Sequence, residues 1–306
     1  WRNISCLVGL QGTWNGWRYI KSLDNSIKAQ KNVEIESIKY VLTESKDKSE
    51  SILKEIGADF KTIKPIEFSH SLTREKEAME SKGDIVVFIT QDIIIKDENW
   101  LYNLTKDIEK GNCEAAFSRQ ICENNSIEKY IRNKNYPDES RIVSKEDVER
   151  LGLMTFFCSD VSSAIKKEVF IELNGYDNKN LIISEDMYIA YKLIMNGYRI
   201  KYCSDSIVIH SHKFTYKQLF NRYFDTGVFF TENSYLNEYK ANSSGLTLAK
   251  YVLKNSIKEK NIKVLLDILP NFASRYIGMK IGKRYKSYSK DKIDEYTMNK
   301  NYWNSI

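Results

Sequence analysis

The sequence has little of what marks fibrous, disordered or membrane-spanning proteins. Its 306 residues include only three prolines and 13 glycines, without an internal repeat, which excludes collagen-like and low-complexity classes. It has no run of about 18 apolar residues, so no membrane-spanning helix is expected. Hydrophobic residues make up 42% of the chain and aromatic residues 12%, which predicts a folded protein with a substantial core.

Two common kinds of site are also missing from the sequence. The five cysteines are Cys6, Cys113, Cys122, Cys158 and Cys203. Their odd number, and the lack of a C-x-x-C pair, argue against a disulfide framework and a structural zinc site, so reduced thiols are expected. Neither G-x-G-x-x-G nor G-x-x-x-x-G-K-[ST] occurs, so the two commonest nucleotide-binding loops are absent.

Charge is distributed unevenly along the chain. The net charge is +6, but residues 241–306 hold 13 basic and five acidic residues and therefore carry +8. Apolar residues are interleaved with these bases. Such a segment fits an anionic partner, either nucleic acid or an anionic membrane surface, on which basic amphipathic helices often lie. The other interpretation is a set of helices packed on the body with a solvated basic face, and both can hold together.

The pattern of elements predicts an α/β fold. Strands are predicted at 4–10, 36–43, 59–63, 84–90 and 114–118, with helices between them near 17–27, 48–57, 72–82 and 98–110. This alternation indicates βαβ units and a mostly parallel sheet. The almost continuously apolar segment 84–90 is typical of a central strand covered on both faces. Ser71 or Thr73 is predicted to cap the helix over 72–82.

The second half is predicted to be more helical. It has predicted strands at 155–159, 199–203 and 206–210, and predicted helices at 166–173, 185–196 and 215–231. Asn174-Gly175 and Gly197 are expected to end two of these helices. No linker is long enough to separate two globular domains.

Three polar features stand out. Asp92 directly follows the central strand, where open parallel sheets bind ligands, and it can hold Mg²⁺ or Mn²⁺ or simply cap the next helix. Glu185 and Asp186 begin a helix, where acids also complement the helix dipole, whereas a catalytic carboxylate there must face a cleft. His210 and His212, two of only three histidines, share one side of an extended segment and suit a metal or phosphate contact, or a surface role.

In this order the features resemble those of inverting glycosyltransferases of the GT-A type in family 2, and more narrowly those of bacterial rhamnosyltransferases. The matching stretches are Phe68-Ser69-His70 with Thr73-Arg74, Val87-Phe88-Ile89-Thr90-Gln91-Asp92, Tyr136-Pro137, Ser140-Arg141, Thr155-Phe156-Phe157-Cys158-Ser159, Ser163-Ala164, Gly175-Tyr176, Ser184-Glu185-Asp186-Met187, His210-Ser211-His212 and Phe220–Gly227. The resemblance implies a GT-A (Rossmann-like), mostly parallel sheet over residues 1–230. A basic amphipathic helical appendage would follow over 231–306, associating with a membrane or packing on the catalytic domain.

The resemblance also implies roles for the polar residues. Asp92 stands where relatives carry a D-x-D-type motif and would hold Mg²⁺ or Mn²⁺ against the donor diphosphate. His212 and His210 would complete the metal or diphosphate contacts. Asp186 matches the base that deprotonates the acceptor hydroxyl, and Glu185 beside it would position the acceptor.

Four further donor or acceptor contacts are implied. Gln91 precedes Asp92, Arg222 matches an arginine that clamps the diphosphate, and Arg74 would reach the donor or the acceptor. The two turns that hold the nucleotide base in relatives differ here, at 9–15 and 43–47. Glu44 is the predicted base contact in the second of these turns.

The activity implied by the resemblance is sugar transfer from dTDP-L-rhamnose, or alternatively from a UDP-hexose, to a polyprenyl-diphosphate-linked saccharide in surface polysaccharide synthesis. The enzyme would be cytoplasmic and peripheral on the inner face of the plasma membrane, with no nucleic-acid partner. Two other classes remain open. A glycoside hydrolase would use Asp92 and Asp186 as its paired carboxylates, and a non-catalytic binding module would retain the fold without turnover.

Overall fold

The computed structural model describes residues 2–10, 16–240 and 245–305. Within this part of the chain, nine strands form one sheet. The strands are β1 (Asn3–Leu10), β2 (Glu34–Thr43), β3 (Asp59–Ile63), β4 (Ile85–Thr90), β5 (Ile94–Ile95), β6 (Ala115–Ile121), β7 (Arg141–Val143), β8 (Ser162–Lys166) and β9 (Ile200–Ile209). The predicted turn at 9–15 lies largely outside the described residues.

The strand order explains how distant segments meet at one edge. The order is β3-β2-β1-β4-β8-β6-β9-β5, with β7 paired to β9. Strands β1 to β4 are mutually parallel, and β6 is parallel to β9. Strand β8 lies antiparallel between β4 and β6, so β4, β6 and β9 all point their carboxyl ends to the same edge.

Helices cover both faces of the sheet and form a C-terminal layer. They are α1 (Trp17–Lys28), α2 (Ser49–Glu55), α3 (His70–Glu80), α4 (Trp100–Glu109), α5 (Ile127–Asn135), α6 (Val148–Leu151), α7 (Lys167–Glu172), α8 (Glu185–Met195), α9 (Tyr216–Glu232), α10 (Gly245–Lys258), α11 (Ile262–Gly282), α12 (Lys290–Tyr296) and α13 (Lys300–Asn304). Among the described residues, no helix combines the length and the apolar character that crossing a bilayer requires.

Strand β4 separates two cores in the way its apolar sequence predicts. Ile85, Val87 and Ile89 point into one cluster, with residues of α1, α2 and α4. Val86 and Phe88 point into the other, with residues of α7 and α8. Alternate side chains of a strand face opposite sides of a sheet, so a strand buried on both faces is apolar throughout.

The C-terminal helices pack closely on the body because glycines allow it. Helix α11 lies along α9, and a Cβ on Gly278 or Gly282 would come within 2.3 Å or 2.0 Å of the carbonyl oxygens of Phe220 or Phe224. Arg275 of α11 also forms an ion pair with Glu128 of α5. The segment after α9 is therefore held against the body by close backbone packing and by a partly buried ion pair.

Most predicted elements are confirmed, and three are wrong. Ser69, not Ser71 or Thr73, caps α3, because its side chain accepts the Leu72 amide. Segment 155–159 is not a strand; Leu153–Phe156 form a 3₁₀ turn and the strand begins at Ser162. The two short strands at 199–210 are one strand, β9, with a register shift where it passes β6.

Candidate active site

Asp92 and the two histidines are brought together by a crossing of the chain. After β4 ends at Thr90, residues 91–93 pass along the carboxyl edge of the sheet, and β5 then pairs antiparallel with β9, placing Ile94 opposite Ile209. Asp92 therefore lies beside the residues that follow β9. Without this crossing, strands β8 and β6 would separate β4 from β9.

The three side chains form a compact ligand set. The Nε2 atoms of His210 and His212 each lie 3.5 Å from Oδ2 of Asp92. All three candidate ligand atoms lie within 4.8 Å of one another, the one such group of three found among the described residues. Asp92 and His212 are partly exposed while His210 is buried, so the cluster opens to one side, where a substrate can approach.

A buried network orients His210. Gln120 Nε2 donates to the hydroxyls of Tyr136 at 2.8 Å and Ser159 at 2.7 Å. Its Oε1 therefore faces Nδ1 of His210, 3.0 Å away, and also accepts from Arg132. A guanidinium nitrogen of Arg132 also lies 3.1 Å from this Nδ1. Gln120 and Arg132 thus hold one ring nitrogen of His210, and the other, Nε2, is directed at Asp92.

The protonation states of Asp92, His210 and His212 suit the binding of a cation. Burial raises the pKa of Asp92, but the hydrogen bond from His210 and the charges of both histidines outweigh it and bring the pKa to about 2. Burial and the neighbouring His210 lower the pKa of His212 to about 4. Near neutral pH the cluster is one carboxylate with two neutral imidazoles, which are the forms that ligate metals. The residues present therefore fit a divalent ion.

A second cluster surrounds Arg74 of α3. Its guanidinium forms an ion pair with Glu185 and donates to the Asp160 carbonyl at 3.3 Å. Asp160 also accepts from Tyr176 at 2.9 Å and Ser163 at 2.6 Å. Although burial raises the pKa of Glu185, the charges of Arg74 and His70 together with hydrogen bonds outweigh it, so this pKa is lowered. Glu185 is thus held as a buried carboxylate.

Asp186 lies next to this cluster, and no salt bridge to its carboxylate is found within the described part of the chain. Its Oδ1 accepts the Met187 amide at 2.8 Å, and its side chain keeps partial solvent access. Burial, with the charges of Glu185 and Asp160, raises the pKa of Asp186 to about 8. A carboxylate with such a pKa is a stronger base than an ordinary one and can accept a proton near neutral pH.

Two electrostatic links join the clusters. Burial lowers the pKa of all three histidines, and the charge of Arg222 lowers each of them further. Burial raises the pKa of Tyr136 to about 12, and the charge of Asp186 adds to this rise. Tyr136 in turn holds Gln120, which orients His210. Asp186, the candidate base, and His210, a candidate metal ligand, are therefore linked through Tyr136 and Gln120.

The remaining predicted residues lie at the same edge of the sheet. Gln91 lies between the end of β4 and Asp92 in the chain, and its side chain is buried. Arg222 is exposed on α9, with its guanidinium 6.0 Å from the Phe214 ring centre. Glu44 follows β2 and is exposed. One strand, β1, lies between β2 and β4, so Glu44 stands apart from the metal cluster, on the side of the N-terminal strands.

Two buried residues, Asp160 and Gln120, were not identified from sequence. Asp160 sits in a loop before β8, and Gln120 lies within β6 directly after Ser118 and Arg119, where it does not stand out from other polar residues. Neither residue has a signal in the sequence, because a buried polar group is recognised by the hydrogen-bond partners that the fold gives it.

Arg74→Ala is expected to destabilise the fold by about 3–5 kcal/mol, since it leaves Glu185 buried without its main ion-pair partner. Urea unfolding measures the loss. Arg150→Ala is the matched control, because the ion pair of Arg150 with Asp147 is exposed and should contribute less than about 1 kcal/mol. Equal losses in the two variants would contradict a buried, interdependent charge pair.

The comparisons with known proteins agree on one family. Residues 12–173 match the Glycosyl transferase family 2 domain. The chain is 33% identical over 298 residues to the O-antigen chain rhamnosyltransferase WbaN of Salmonella anatum, covering 96% of this chain and 92% of that protein. It is 31% identical over 292 residues to the O-antigen chain rhamnosyltransferase RfbN of Salmonella typhimurium, covering 92% of each.

Solved structures share the fold at low identity. The mannosyltransferase PcManGT from Pyrobaculum calidifontis, solved with GDP-Man and Mn²⁺, aligns with a TM-score of 0.59 at 13% identity, over 93% of this chain and 86% of that one. S. aureus TarS 1–349 with UDP-GlcNAc aligns with a TM-score of 0.52 at 13% identity, over 94% and 93%. These likenesses confirm the predicted GT-A fold. The family match and the two rhamnosyltransferase relatives show that the chain belongs to glycosyltransferase family 2.

Proposed function

We propose that the protein transfers L-rhamnose from dTDP-L-rhamnose to a lipid-linked saccharide during O-antigen-type polysaccharide synthesis. The observation that carries this proposal is the 31–33% identity to two O-antigen chain rhamnosyltransferases over 92–96% of the chain. Nearly full coverage includes the strand-end residues and the C-terminal helices, so the similarity is not confined to a shared nucleotide-binding half.

Asp186 is the proposed base. The acceptor hydroxyl loses its proton to the Asp186 carboxylate while its oxygen attacks the anomeric carbon, and the bond to the nucleoside diphosphate breaks on the opposite face. One displacement inverts the anomeric centre and needs no protein nucleophile. Glu185 holds Arg74 in place, and its negative charge raises the proton affinity of Asp186.

Asp92, His210 and His212 are the proposed metal ligands. A divalent ion there would neutralise the charge that develops on the departing diphosphate. Two imidazoles favour Mn²⁺ over Mg²⁺, since Mg²⁺ prefers oxygen ligands throughout. Arg222, at the same edge, would bind diphosphate oxygens, and Gln91 and Glu44 would contact other parts of the donor.

The proposed organisation divides the chain at residue 230. Residues 1–230 would perform the transfer, and residues 231–306 would pack on the catalytic part and face the membrane. The enzyme would work at the cytoplasmic face of the plasma membrane, where a polyprenyl-diphosphate-linked acceptor is accessible.

A donor screen tests this function. Purified protein with Mn²⁺ and a lipid-linked acceptor is offered dTDP-L-rhamnose, UDP-hexoses and GDP-mannose, and nucleotide release and product mass are measured. Acceptor-dependent release of dTDP, with a product heavier by one deoxyhexose, supports the proposal. Turnover of a UDP-hexose alone would show that the donor is a UDP-hexose. Hydrolysis of a glycoside without any nucleotide would show that the protein is a glycoside hydrolase.

The pH dependence of turnover follows from the environment of Asp186. Because burial and two neighbouring carboxylates raise its pKa to about 8, the base is largely protonated below that pH. We expect kcat/KM to rise with pH and to level off above about pH 8, the limb that a general base produces in the free enzyme. A profile that falls across the same range would contradict Asp186 as the base.

A further inference from the structure

The hairpin formed by α10 and α11 exposes apolar side chains at its tip. Leu253 and Ile257 are exposed near the end of α10, and Ile262, Leu266 and Leu269 near the start of α11. Leu266 and Leu269 are 76% and 79% exposed. Spacings of three and four residues place the members from each helix on one face, so together they form an apolar ridge, here called the tip ridge.

Lysines surround the tip ridge. Lys254, Lys258, Lys260 and Lys263 are exposed, and the salt bridges found among the described residues include none of them. The two acids nearby are engaged: Glu259 with Lys129 and the Tyr130 hydroxyl, and Asp267 with the Tyr216 hydroxyl at 2.7 Å. The tip is thus both apolar and cationic.

The tip lies at the active-site end of the protein. Asn261, in the hairpin turn, donates to Asn125 at 2.6 Å. The segment before Asn125 is bonded to the metal-cluster strand: the His210 amide donates to the Ile121 carbonyl at 2.9 Å, and Asn124 donates to the His212 carbonyl at 3.0 Å. One short segment therefore separates the tip from the histidines.

An open cleft of about 1000 Å³ lies between this segment and the hairpin turn. Lys260 and Lys263 line this cleft, and its two acids, Glu259 and Glu123, form ion pairs with Lys129 and Lys96. Ammonium groups in a cleft beside an apolar ridge suit phosphates that lie at the surface of a bilayer.

We propose that the tip ridge docks on an anionic bilayer, with its apolar side chains in the interface and its lysines at the headgroup phosphates. This orientation turns the edge with Asp92, His210 and His212 toward the membrane. The docking proposal depends on the proposed function only for the reason why the active site should face lipid. Amphipathic surfaces bind such membranes by combining buried apolar area with attraction to anionic lipid.

Charge favours a bilayer over a second copy of the chain. In a two-fold dimer, the same patch of each subunit meets its counterpart. The four lysines of one tip would then lie close to the four of the other, where like charges repel. An anionic lipid surface meets the same lysines with opposite charge.

Vesicle sedimentation tests the proposal. The double variant Leu266→Glu/Leu269→Glu is compared with wild type on phosphatidylcholine vesicles with and without phosphatidylglycerol. The control is Ile66→Glu/Ile171→Glu, which changes two exposed isoleucines away from the hairpin. Wild type and control should bind the anionic vesicles, and the tip variant should bind about tenfold or more weakly. Replacing the four lysines with glutamine should also weaken binding and reduce its salt dependence.

Three outcomes would overturn the proposal: unchanged vesicle binding by the tip variant, equal loss in the control, or a wild-type dimer in lipid-free solution that the tip variant dissociates. Transfer to a short-chain, detergent-soluble acceptor is measured in parallel. If vesicle binding depends on the tip but no sugar is transferred, the proposed function fails while the docking surface stands. If sugar transfer occurs but vesicle binding does not depend on the tip ridge, only the proposed docking surface is contradicted.

Discussion

Asp186→Asn is expected to lower kcat by about 10²–10⁴-fold, the usual contribution of a general base. Asparagine retains the shape of the side chain and can still accept the Met187 amide, but it cannot take a proton from the acceptor. Nucleotide release under saturating donor and acceptor measures the loss. Donor affinity should change little, since the base acts on the acceptor.

The stability of this variant provides an internal check. A carboxylate whose folded-state pKa is raised to about 8 costs wild-type stability progressively as pH rises from its unfolded pKa toward that value. The asparagine variant escapes this cost, so it should be as stable as wild type at low pH and more stable at high pH. Asp291→Asn, at the equivalent second position of α12, is the matched control and should affect neither turnover nor the pH trend. Normal turnover by Asp186→Asn would remove Asp186 from the mechanism.

Asp92→Ala is expected to abolish most metal-dependent turnover, with a loss on the order of 10²–10³-fold at fixed Mn²⁺, because a bound cation supplies several kcal/mol of charge stabilisation. His212→Ala should act in the same direction, since its Nε2 lies 3.5 Å from the same carboxylate oxygen. Mn²⁺ binding measured by titration calorimetry, without substrates, gives a readout independent of activity.

A control for the metal site lies outside the cluster. Glu123→Ala removes an exposed carboxylate that pairs with Lys96, three residues beyond Gln120 on the same edge, and should leave Mn²⁺ affinity unchanged. If Asp92→Ala and His212→Ala bind Mn²⁺ as wild type does, the ion is held elsewhere. Chelation with EDTA should abolish turnover by the wild-type enzyme, and added Mn²⁺ should restore it.

Most of the fold was predictable because its determinants are local. Each strand–helix alternation shows as a change of hydrophobic period, and the apolar run of β4 reflects burial on both faces. The errors fall where local signals compete. Residues 155–159 are apolar and aromatic, yet Gly152 with φ +54° starts a 3₁₀ turn that packs into the core instead of extending.

The candidate site was predictable only in part. Asp92, Asp186 and His212 each follow or begin an element, so sequence position alone places them at an end of the sheet. Arg74 and Glu185 are 111 residues apart in the chain, and their ion pair forms only because helices α3 and α8 pack together. Gln120 and Asp160 carry no motif, since their effect depends on which atoms they face.

The sequence by itself determined the elements, the two-faced burial of the central strand, and the family resemblance, because hydrophobic period and ordered motifs are written along the chain. Tertiary structure alone decided that residues 91–93 cross the carboxyl edge so that Asp92 meets two histidines. It also decided which carboxylate keeps its charge and which takes up a proton. Those outcomes depend on distance and burial, and long-range packing sets both.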